Sequence, residues 1–446
     1  MRVLNACKAG TTGAFVLYWM QHSQRARGNP ALERAAAWAN KKNAPLLVLF
    51  VLDPHYPDAN ERHYTFMLQG LAEAKQAIEQ RGAHFSLQLG SPPEIAVRMA
   101  QGADVVVTDR GYLRHLVEWR ERLGAEAPVR VEMVEGDVIV PVEVASGKME
   151  IGARTIRPKL RRALPDYLDP PVPTALECKA KGLASDDDVA IDDIPALVER
   201  LGADASVGPV PDFYGGTAAA EKTLSSFLAD GLPSYGEGRA DIVKRNVSRL
   251  SPYLHFGQIS PLDVYHAVKD AVVPEDSKSS FIEEMLIRRE LAVNFVHNAP
   301  QYDTFDCLPG WARETLNVHA SDERPCVCSA EQLEAGETDD PYWNAATREM
   351  KVSGYLHNHM RMYWGKRLLA LTATPQEAYA TAIKLNNKYL LDGRDTNSYA
   401  NIAWLFGMHD RGWPERAIFG KVRTMTASGL ERKFDAGAYV RWANAL

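Results

Sequence analysis

The sequence contains few cysteines and no long apolar run. Its five cysteines are odd in number and scattered, at Cys7, Cys178, Cys307, Cys326 and Cys328, which is typical of free thiols in a reducing compartment. No stretch reaches the roughly 18 consecutive apolar residues of a membrane span, and the N-terminal MRVLNACKAG lacks the layout of a signal peptide. We therefore expect a cytoplasmic protein without a membrane anchor.

Two common binding motifs are also missing. The C-x-C pair at Cys326 and Cys328 has no second closely spaced pair and no histidine partner, so we expect no tetrahedral metal site. No G-x-G-x-x-G motif follows the first predicted strand. The fingerprint of a dinucleotide-binding sheet is therefore absent there.

Short β-branched runs alternate with longer amphipathic stretches from Ala14 to about Arg130. The predicted strands are AFVLYWM, PLLVLFVLD, HFSLQL, ADVVVTD and VRVEMV. Apolar runs separated by helical crossovers are typical of a parallel sheet with helices on both faces. Such sheets bind ligands at the carboxyl ends of their strands. We predict a Rossmann-like, doubly wound α/β domain over residues 1–140.

The rest of the chain divides into a linker and a second domain. Residues 141–215 are rich in proline and acidic residues, as in LDPPVPT and ASDDDVAIDDI, which predicts an interdomain linker that wraps rather than packs. Beyond residue 215 the strand pattern vanishes, and helix-period sequence with short Pro and Gly breaks continues to the end. We predict an all-α domain over residues 216–446.

Charge is distributed unevenly along the chain. Residues 351–446 hold 14 Lys and Arg against 7 Asp and Glu, whereas the first 350 residues hold 37 against 50. The basic segment also contains many aromatic residues. Cations bind the phosphates of a nucleic acid, and aromatic rings stack on its exposed bases. This pattern indicates nucleic-acid binding, although a helical core with ordinary surface lysines has a similar composition.

The segment SRLSPYLHFGQIS places two hydroxyls, those of Ser248 and Ser251, near a predicted helix start. Pro252 suits the first helical position. Free N–H groups at a helix start bind phosphate well, but the same residues also form ordinary helix caps. The segment resembles the flavin-binding segment of the photolyase and cryptochrome family.

Similar motifs extend along nearly the whole chain. Those that resemble class II cyclobutane pyrimidine dimer photolyases, in sequence and in order, are YWMQHSQRARGNPAL, EEMLIRREL, DPYWNAA, YLHNHMRMYWGKRLL, LNNKYLLDGRD, FGMHDRGWPER and FGKVR. The resemblance implies an N-terminal antenna domain and a helical domain that holds FAD, active in its reduced form. It also implies a monomeric enzyme that repairs pyrimidine dimers in single- or double-stranded DNA with light.

The resemblance assigns cofactor binding to residues of the helical domain. They are Tyr235, Arg239, Ser248, Leu250, Ser251, Asn358, Arg361, Asn386, Asp392 and Arg394. Asn386 resembles the residue beside the flavin N5 atom, where a neutral amide can adapt its hydrogen bonds to the redox state; the adjacent Asn387 is the alternative. Arg361 and Asn358 are implied to lie on the helix that crosses the flavin ring; the ordinary alternative to this role is a salt-bridged pair of helices. An antenna chromophore is implied too, with 8-hydroxy-5-deazaflavin favoured over a folate.

The residues implied to contact the substrate or DNA are Glu284, Arg288, Met362, Trp404, Asp410 and Arg411. Trp404 and Met362 would form the walls of the pocket that holds a flipped-out dimer, although both residue types are also common in cores. Glu284 would bond the thymine carbonyl edge, for which burial must keep it protonated. Glu283 is the alternative for that role, and an exposed ion pair on the helix face is the ordinary role. Arg289 is a further candidate for a phosphate contact.

A chain of aromatic side chains is implied between the flavin and the surface. Trp364 and Trp343 match the inner two of the three tryptophans used in class II enzymes, and join Glu284 and Asn386 in the implied catalytic set. The outer position, seven residues after Trp364, is Leu371, so the usual exit is interrupted. The candidates to replace it are Tyr342, Tyr363 and Tyr379.

Two other functions stay open on the sequence alone. A cryptochrome-like blue-light sensor would keep the flavin and lose repair, but the joint presence of Glu284, Met362 and Trp404 favours repair. A non-catalytic nucleic-acid-binding protein would bind DNA with a salt-dependent affinity and carry no flavin.

Overall fold

A computed structural model describes residues 1–446. The N-terminal part of the chain forms a six-stranded sheet. The strands are β1 (Arg2–Val3), β2 (Phe15–Met20), β3 (Leu46–Leu52), β4 (His84–Leu89), β5 (Ala103–Asp109) and β6 (Arg130–Val134). Their order is β1-β6-β5-β2-β3-β4, and all neighbours are parallel except β1 and β6. The predicted parallel sheet is confirmed, with an added antiparallel edge strand of two residues that carries too little pattern to predict.

The helices between the strands cover both faces of the sheet. They are α1 (Pro30–Lys42), α2 (Glu61–Gln80), α3 (Pro92–Ala100) and α4 (Arg114–Glu126). Along β2, Val16 and Tyr18 pack with α1 and α2, while Leu17 and Trp19 pack with α3 and α4. Central strands buried on both sides read as continuous apolar runs, which is why these strands could be predicted.

Three short helices occupy the segment predicted as a linker. They are α5 (Val142–Ala145), α6 (Ala153–Ala163) and α7 (Ile194–Leu201). Ile156 and Leu160 of α6 lie in the same core as Leu286 of the helical domain, whereas Leu197 of α7 lies in a core of the sheet. The prediction that this segment does not pack is wrong, because short amphipathic helices are hidden between its Pro and Asp residues. The predicted boundaries at residues 140 and 215 stay predictions.

The remaining chain is helical, as predicted, and contains no β-strand. Its helices are α8 (Thr217–Ser226), α9 (Tyr235–Gly238), α10 (Ser251–His255), α11 (Pro261–Asp270), α12 (Glu275–Ile282), α13 (Arg289–Asn298), α14 (Gly310–Val318), α15 (Ala330–Ala335), α16 (Pro341–Ser353), α17 (Asn358–Leu371), α18 (Pro375–Tyr389), α19 (Thr396–Leu405), α20 (Ala427–Lys433) and α21 (Ala436–Asn444). None of the helices combines the length and the apolar character needed to cross a membrane.

A π-helical turn joins α12 to α13. Residues Glu283–Arg288 form this turn, so the chain from Glu275 to Asn298 is one continuous helix with a local widening. π-Helical turns are rare and frequently lie at functional sites. The turn carries both glutamates that the sequence offers for the substrate contact.

The start of α2 binds the carboxyl end of α18 and the residue that follows it. Asn60 Nδ2 donates to the carbonyl of Lys388 at 2.7 Å, and a ring nitrogen of His63 lies 3.0 Å from the carbonyl of Leu390. Arg62 Nη1 donates to the carbonyl of Tyr389. The α/β domain thereby positions the turn that leads to the DGRDTN motif.

Glu290 ties the segment after β6 to the helical domain. Its Oε1 accepts hydrogen bonds from the backbone N–H of Ile139 at 2.7 Å and of Val140 at 3.3 Å, and Oε2 has no hydrogen-bond partner. Burial raises the pKa of Glu290 to about 8. The neutral acid is therefore the form that the fold favours over most of the accessible pH range.

Glutamine at position 290 should remove a pH-dependent loss of stability. Between about pH 4.5 and 8 the folded wild type keeps a proton on Glu290 that the unfolded chain releases. The wild type then loses up to about 1.4 kcal/mol of stability per pH unit, while a glutamine can accept the same two N–H bonds and does not titrate. The difference in thermal midpoint between Glu290→Gln and wild type should increase as the pH rises through this range, and it should stay constant above about pH 8. A difference that stays constant with pH would contradict this account.

Candidate active site

Arg361 and Asp392 form a nearly buried ion pair. Arg361 Nη2 donates to both carboxylate oxygens of Asp392, at 3.0 and 3.1 Å, and the two side chains are 13% and 11% exposed. Burial raises the pKa of the neighbouring Tyr355 to about 12, and the charges of Arg361 and Asp392 act on it in opposite directions. Arg361 Nε has no hydrogen-bond partner. A buried N–H of this kind is a donor available to a polar ligand.

The structure separates the roles of two adjacent asparagines at the end of α18. Asn387 Oδ1 accepts the backbone N–H of Arg394 at 3.0 Å, and its Nδ2 donates to Asp58 at 3.0 Å. Asn386 is buried and makes one side-chain hydrogen bond, from Nδ2 to Asn387 at 3.2 Å. Asn387 therefore orders the turn that carries Asp392, while the amide oxygen of Asn386 receives no donor from the protein.

Tyr235, Arg239 and Glu284 form a second polar group. Arg239 Nη1 donates to Glu284 Oε1 at 2.6 Å. Burial raises the pKa of Tyr235, and charges on Glu284, Arg239 and Tyr355 contribute. The expectation that Glu284 is buried is wrong: its side chain is 34% exposed, because the π-helical turn presents it beside the partly exposed Arg239.

The segment Ser248–Ser251 leads into α10. The backbone N–H of Leu250 donates to Ser248 Oγ at 3.4 Å. Between them, Arg249 has a left-handed backbone with φ of 55°, and its guanidinium lies 5.7 Å from the ring of Tyr355 with Nε unpartnered. A left-handed arginine is strained, and such strain is concentrated at functional sites. Arg249 is thus a candidate that the sequence analysis missed, although it stands inside the SRLSPYL motif.

Helices α17 and α19 cross closely at Gly365. A Cβ atom there would lie 2.1 Å from Leu405 Cδ1, so glycine permits the approach. The crossing brings Lys366 Nζ to 5.1 Å from the ring centroid of Trp404, where it donates to the carbonyl of Leu405. Burial lowers the pKa of Lys366 to about 7. Met362 lies one helical turn before Lys366 on the same helix. Met362 and Trp404 are both partly exposed and pack against the same hydrophobic core.

A stack of cations and aromatic rings continues from Trp404 into the next loop. Arg423 lies 5.6 Å from the ring of Trp404 and 4.3 Å from that of Trp413, and pairs with Asp410 at 3.2 Å. Arg411 is exposed and lies 5.2 Å from the ring of Trp413. Asp410 and Arg411 are both implied to contact the substrate or DNA; Asp410 is held inside the loop by Arg423, and Arg411 is free to extend.

The two glutamates of the π-helical turn have different partners. Arg157 of α6 donates to both oxygens of Glu283, at 2.9 and 2.6 Å. Arg288 approaches Glu283 at 3.5 Å and forms no ion pair with Glu284. Glu284 is consequently the glutamate that lies beside the second polar group, and Arg288 remains largely exposed.

Trp343 and Trp364 stack inside the helical core. Their ring centroids are 6.1 Å apart with an angle of 13° between the planes, and Trp343 Nε1 donates to the carbonyl of Trp364 at 2.9 Å. Leu371 ends α17, is buried, and accepts the backbone N–H of Cys328 at 2.9 Å. The outer position therefore holds an aliphatic side chain packed against a cysteine-bearing loop.

Tyr342 and Tyr363 are the chain neighbours of these tryptophans on the same two helices. Their rings meet edge to face with centroids 6.4 Å apart. Tyr363 donates to the carboxylate of Asp340 at 2.6 Å, and Tyr342 donates to that of Glu431 at 2.7 Å. Tyr342 reaches the surface, whereas Tyr379 is fully buried on α18.

A cavity lies where the carboxyl ends of the strands face the helical domain. Tyr56 and Trp119 form its aromatic wall, with ring centroids 6.1 Å apart. The resemblance assigns Arg394 to cofactor binding, and its guanidinium lines this cavity, 5.6 Å from the ring of Tyr56. Arg394 Nε and Nη2 have no hydrogen-bond partners. Asp395, the next residue, pairs with His255 at 3.0 Å.

Arg289 belongs to the contact between the domains. It is buried in an ion pair with Asp137, which also lies 3.2 Å from a ring nitrogen of His22. The predicted phosphate contact of Arg289 is therefore wrong, because the residue points from the end of the π-helical turn toward the α/β domain rather than toward solvent.

Solved structures share this architecture. A class III photolyase from Agrobacterium tumefaciens has a TM-score of 0.74 at 21% identity, over 96% of this chain and 86% of that one. A cryptochrome from Synechocystis sp. PCC6803 has a TM-score of 0.76 at 16% identity, over 96% and 88%. At these identities the likeness concerns the fold alone. The chain therefore has the fold of photolyases and cryptochromes.

Similarity in sequence is more specific. Residues 16–177 match the family described as DNA photolyase. The deoxyribodipyrimidine photo-lyase of Methanothermobacter thermautotrophicus is 42% identical over 440 residues, which cover 99% of this chain and 97% of the relative. That of Potorous tridactylus is 40% identical, over 96% and 81%. The chain belongs to the DNA photolyase family.

Proposed function

We propose that this protein repairs cyclobutane pyrimidine dimers in DNA with light, through an electron passed from reduced FAD to a flipped-out dimer and returned after the ring opens. The observation that carries the proposal is the layout of α17. Arg361 pairs with the buried Asp392, and the next residue, Met362, is partly exposed and packs against the same core as Trp404. One helix thus separates a polar cofactor site from an aromatic rim, as a reaction between a buried cofactor and an extruded base requires.

The residues present fit FAD. FAD, when bound, supplies the electron that opens the cyclobutane ring. The unpartnered Nε of Arg361 and the amide oxygen of Asn386 suit the polar edge of an isoalloxazine, and Arg239 and Arg249 provide positive charge for the diphosphate. The proposed cofactor-binding residues are Tyr235, Arg239, Ser248, Arg249, Leu250, Ser251, Asn358, Arg361, Asn386 and Asp392.

Four residues are proposed to hold the dimer. Trp404 and Met362 would pack against its two faces, with Lys366 supporting Trp404 from beneath. Glu284 would meet the carbonyl edge of the bases, held in place by Arg239. Bound DNA would cover the exposed part of Glu284 and exclude water from its contact with the bases.

Exposed cations around this rim would bind the DNA backbone. Arg288 lies on the π-helical turn and Arg411 on the loop after α19, and both are exposed. Contacts of Arg288 and Arg411 with the phosphates on either side of the dimer would position the duplex without reading its sequence. DNA containing pyrimidine dimers, single- or double-stranded, is the proposed partner.

We assign the enzyme to class II. The assignment rests on the order of the motifs EEMLIRREL, YLHNHMRMYWGKRLL and LNNKYLLDGRD, which resemble that class. A light sensor could share the fold, but it would not need Glu284, Met362 and Trp404 on one rim.

An antenna chromophore is proposed for the interdomain cavity. Arg394 is the single Lys or Arg in the lining, which also holds the carboxylates of Asp53, Asp137 and Asp395. A folate with its glutamate tail would bring several negative charges to this lining, whereas a deazaflavin is a flat ring system with one acidic hydroxyl. The aromatic wall of Tyr56 and the free N–H groups of Arg394 therefore favour 8-hydroxy-5-deazaflavin.

Tyr363 and Tyr342 are proposed to replace the missing third tryptophan. They continue from the stacked tryptophans toward the surface, and each phenol donates to a carboxylate. A phenol that gives up an electron also loses its proton, which Asp340 and Glu431 are placed to accept. Tyr379 has no such carboxylate and does not reach the surface.

Tyr342→Phe should slow the blue-light reduction of oxidised flavin by an external thiol severalfold, because the outermost phenol and its proton acceptor are lost. Adding Leu371→Trp should restore the rate through the position that is aliphatic in the wild type. Tyr379→Phe is the matched control and should leave the rate unchanged. The absorbance of oxidised flavin under illumination measures all three. Equal rates in Tyr342→Phe and wild type would show that electrons leave by another route.

The proposed function is tested by anaerobic blue-light repair of a thymine-dimer oligonucleotide. The purified protein is chemically reduced, a dark sample serves as control, and a visible spectrum is taken of the same sample. Restored thymine absorbance in the light alone supports the proposal. A yellow protein that binds the substrate without repair would indicate a sensor, and a colourless one would contradict the flavin site.

A further inference from the structure

We propose that α6 is a second DNA-binding surface, which holds the phosphate backbone outside the lesion. The helix reads ARTIRPKLRRA and contains five basic residues and no acidic one. It belongs to the Pro-rich and acidic segment between the domains, far in sequence from the basic residues 351–446. The inference rests on the proposed function in one respect, namely that the polyanion bound is DNA.

The position of α6 is the first argument. Arg157 binds both oxygens of Glu283 on the π-helical turn, next to Glu284 and Arg288. At the other end, a Cβ on Gly152 would lie 3.6 Å from the carbonyl oxygen of His409. The helix therefore borders the rim of the dimer pocket, between the π-helical turn and the loop that carries Arg411.

The free charge of α6 is the second argument. Arg154, Arg161 and Arg162 are exposed and take part in no ion pair or side-chain hydrogen bond, whereas Arg157 and Lys159 pair with Glu283 and Glu150. The apolar side of the helix is buried in the core of the helical domain. The exposed arginines therefore have no structural partner, and like charges at spacings of three and four residues repel one another.

The spacing of these arginines suits a nucleic-acid strand. Arg154, Arg157 and Arg161 follow one another at helical spacing on one face, and Arg154 and Arg161 are about 10 Å apart along the axis. A duplex rises about 3.4 Å per nucleotide of one strand, so the helix spans about three phosphates. Arginine binds phosphate through two parallel N–H groups, which suits backbone binding without sequence preference.

The test measures how DNA binding depends on salt. The triple variant Arg154→Gln, Arg161→Gln, Arg162→Gln is compared with Lys181→Gln, Arg200→Gln, Lys222→Gln, which removes the same charge from exposed, unpaired positions outside α6. Binding of a labelled duplex with one thymine dimer, and of the undamaged duplex, is followed by anisotropy between about 50 and 200 mM salt.

The α6 variant should bind both duplexes more weakly, roughly tenfold at the lower salt concentration, and its plot of log affinity against log salt should be less steep by about 0.9 for each phosphate that is no longer neutralised. The control variant should keep the wild-type slope. Replacing the same three arginines with lysine should restore most of the affinity, which separates the effect of charge from misfolding. An unchanged slope in the α6 variant, or an equal change in the control, would overturn the inference.

A short substrate locates the contact. With a dimer flanked by single nucleotides, the α6 variant and wild type should bind and repair alike, since no backbone reaches α6. Weaker binding of this short substrate would mean that the arginines act through the dimer pocket, against the inference. If repair fails in wild type as well, the proposed function is contradicted while the salt dependence with undamaged duplex still reports on α6.

Discussion

Trp404→Ala should weaken the binding of dimer-containing DNA by roughly 10- to 100-fold, because stacking of one base on an aromatic side chain contributes about 1–3 kcal/mol. Trp404 is partly exposed between Lys366 and Arg423, 5.1 and 5.6 Å from the two cations. Its ring is therefore held in place before DNA arrives. Undamaged DNA should bind almost as well as to wild type, since its bases stay stacked. Anisotropy with both duplexes measures the ratio.

Two variants control this result. Trp404→Phe keeps an aromatic face and should lose far less affinity than Trp404→Ala. Trp38→Ala removes a partly exposed tryptophan of α1, on the α/β domain, and should leave the preference for the dimer intact. If Trp404→Ala weakened binding of damaged and undamaged DNA equally, the residue would support the DNA-binding surface as a whole and would not stack on the lesion.

The fold followed from the sequence wherever one pattern dominated. β4 and β5 begin and end where HFSLQL and ADVVVTD do. The edge strand β4 alternates polar and apolar residues, whereas β5 is buried on both faces and has an apolar run at its centre. The two-residue β1 carries no periodicity, and α6 has a proline, Pro158, in its interior. Helix α6 is held by packing of Ile156 and Leu160 against the helical domain, which local sequence does not reveal.

The candidate site could be predicted as a set of residues but not as a set of contacts. The motifs contain Arg361, Asp392 and Asn386, yet the ion pair and the different roles of Asn386 and Asn387 depend on the turn before Arg394. The direction of the Arg394 side chain depends on a left-handed backbone, with φ of 63°. The exposure of Glu284 depends on a π-helical turn. The left-handed backbone and the π-helical turn both depend on tertiary contacts, which helical periodicity does not encode.

Asp392→Ala should yield an unstable protein without flavin. The change leaves Arg361 as a buried, uncompensated cation, which costs about 3–5 kcal/mol when a buried pair is broken by removing one partner. It also removes a carboxylate proposed to meet the cofactor. A lower thermal midpoint and a loss of yellow colour are therefore both expected, but the single variant cannot separate the structural effect from the cofactor effect.

The double variant Arg361→Met, Asp392→Leu separates them. Replacing a buried ion pair by apolar side chains of similar size is often neutral for stability or even favourable, so the thermal midpoint should return close to that of wild type. The polar groups proposed to bind the flavin are still missing, so the ratio of flavin to protein should stay near zero. Lys388→Met breaks the partly buried pair with Glu334 in the same domain, and should lower stability without loss of flavin. If the double variant bound flavin like wild type, the ion pair of Arg361 and Asp392 would be structural and the cofactor would be held by other residues.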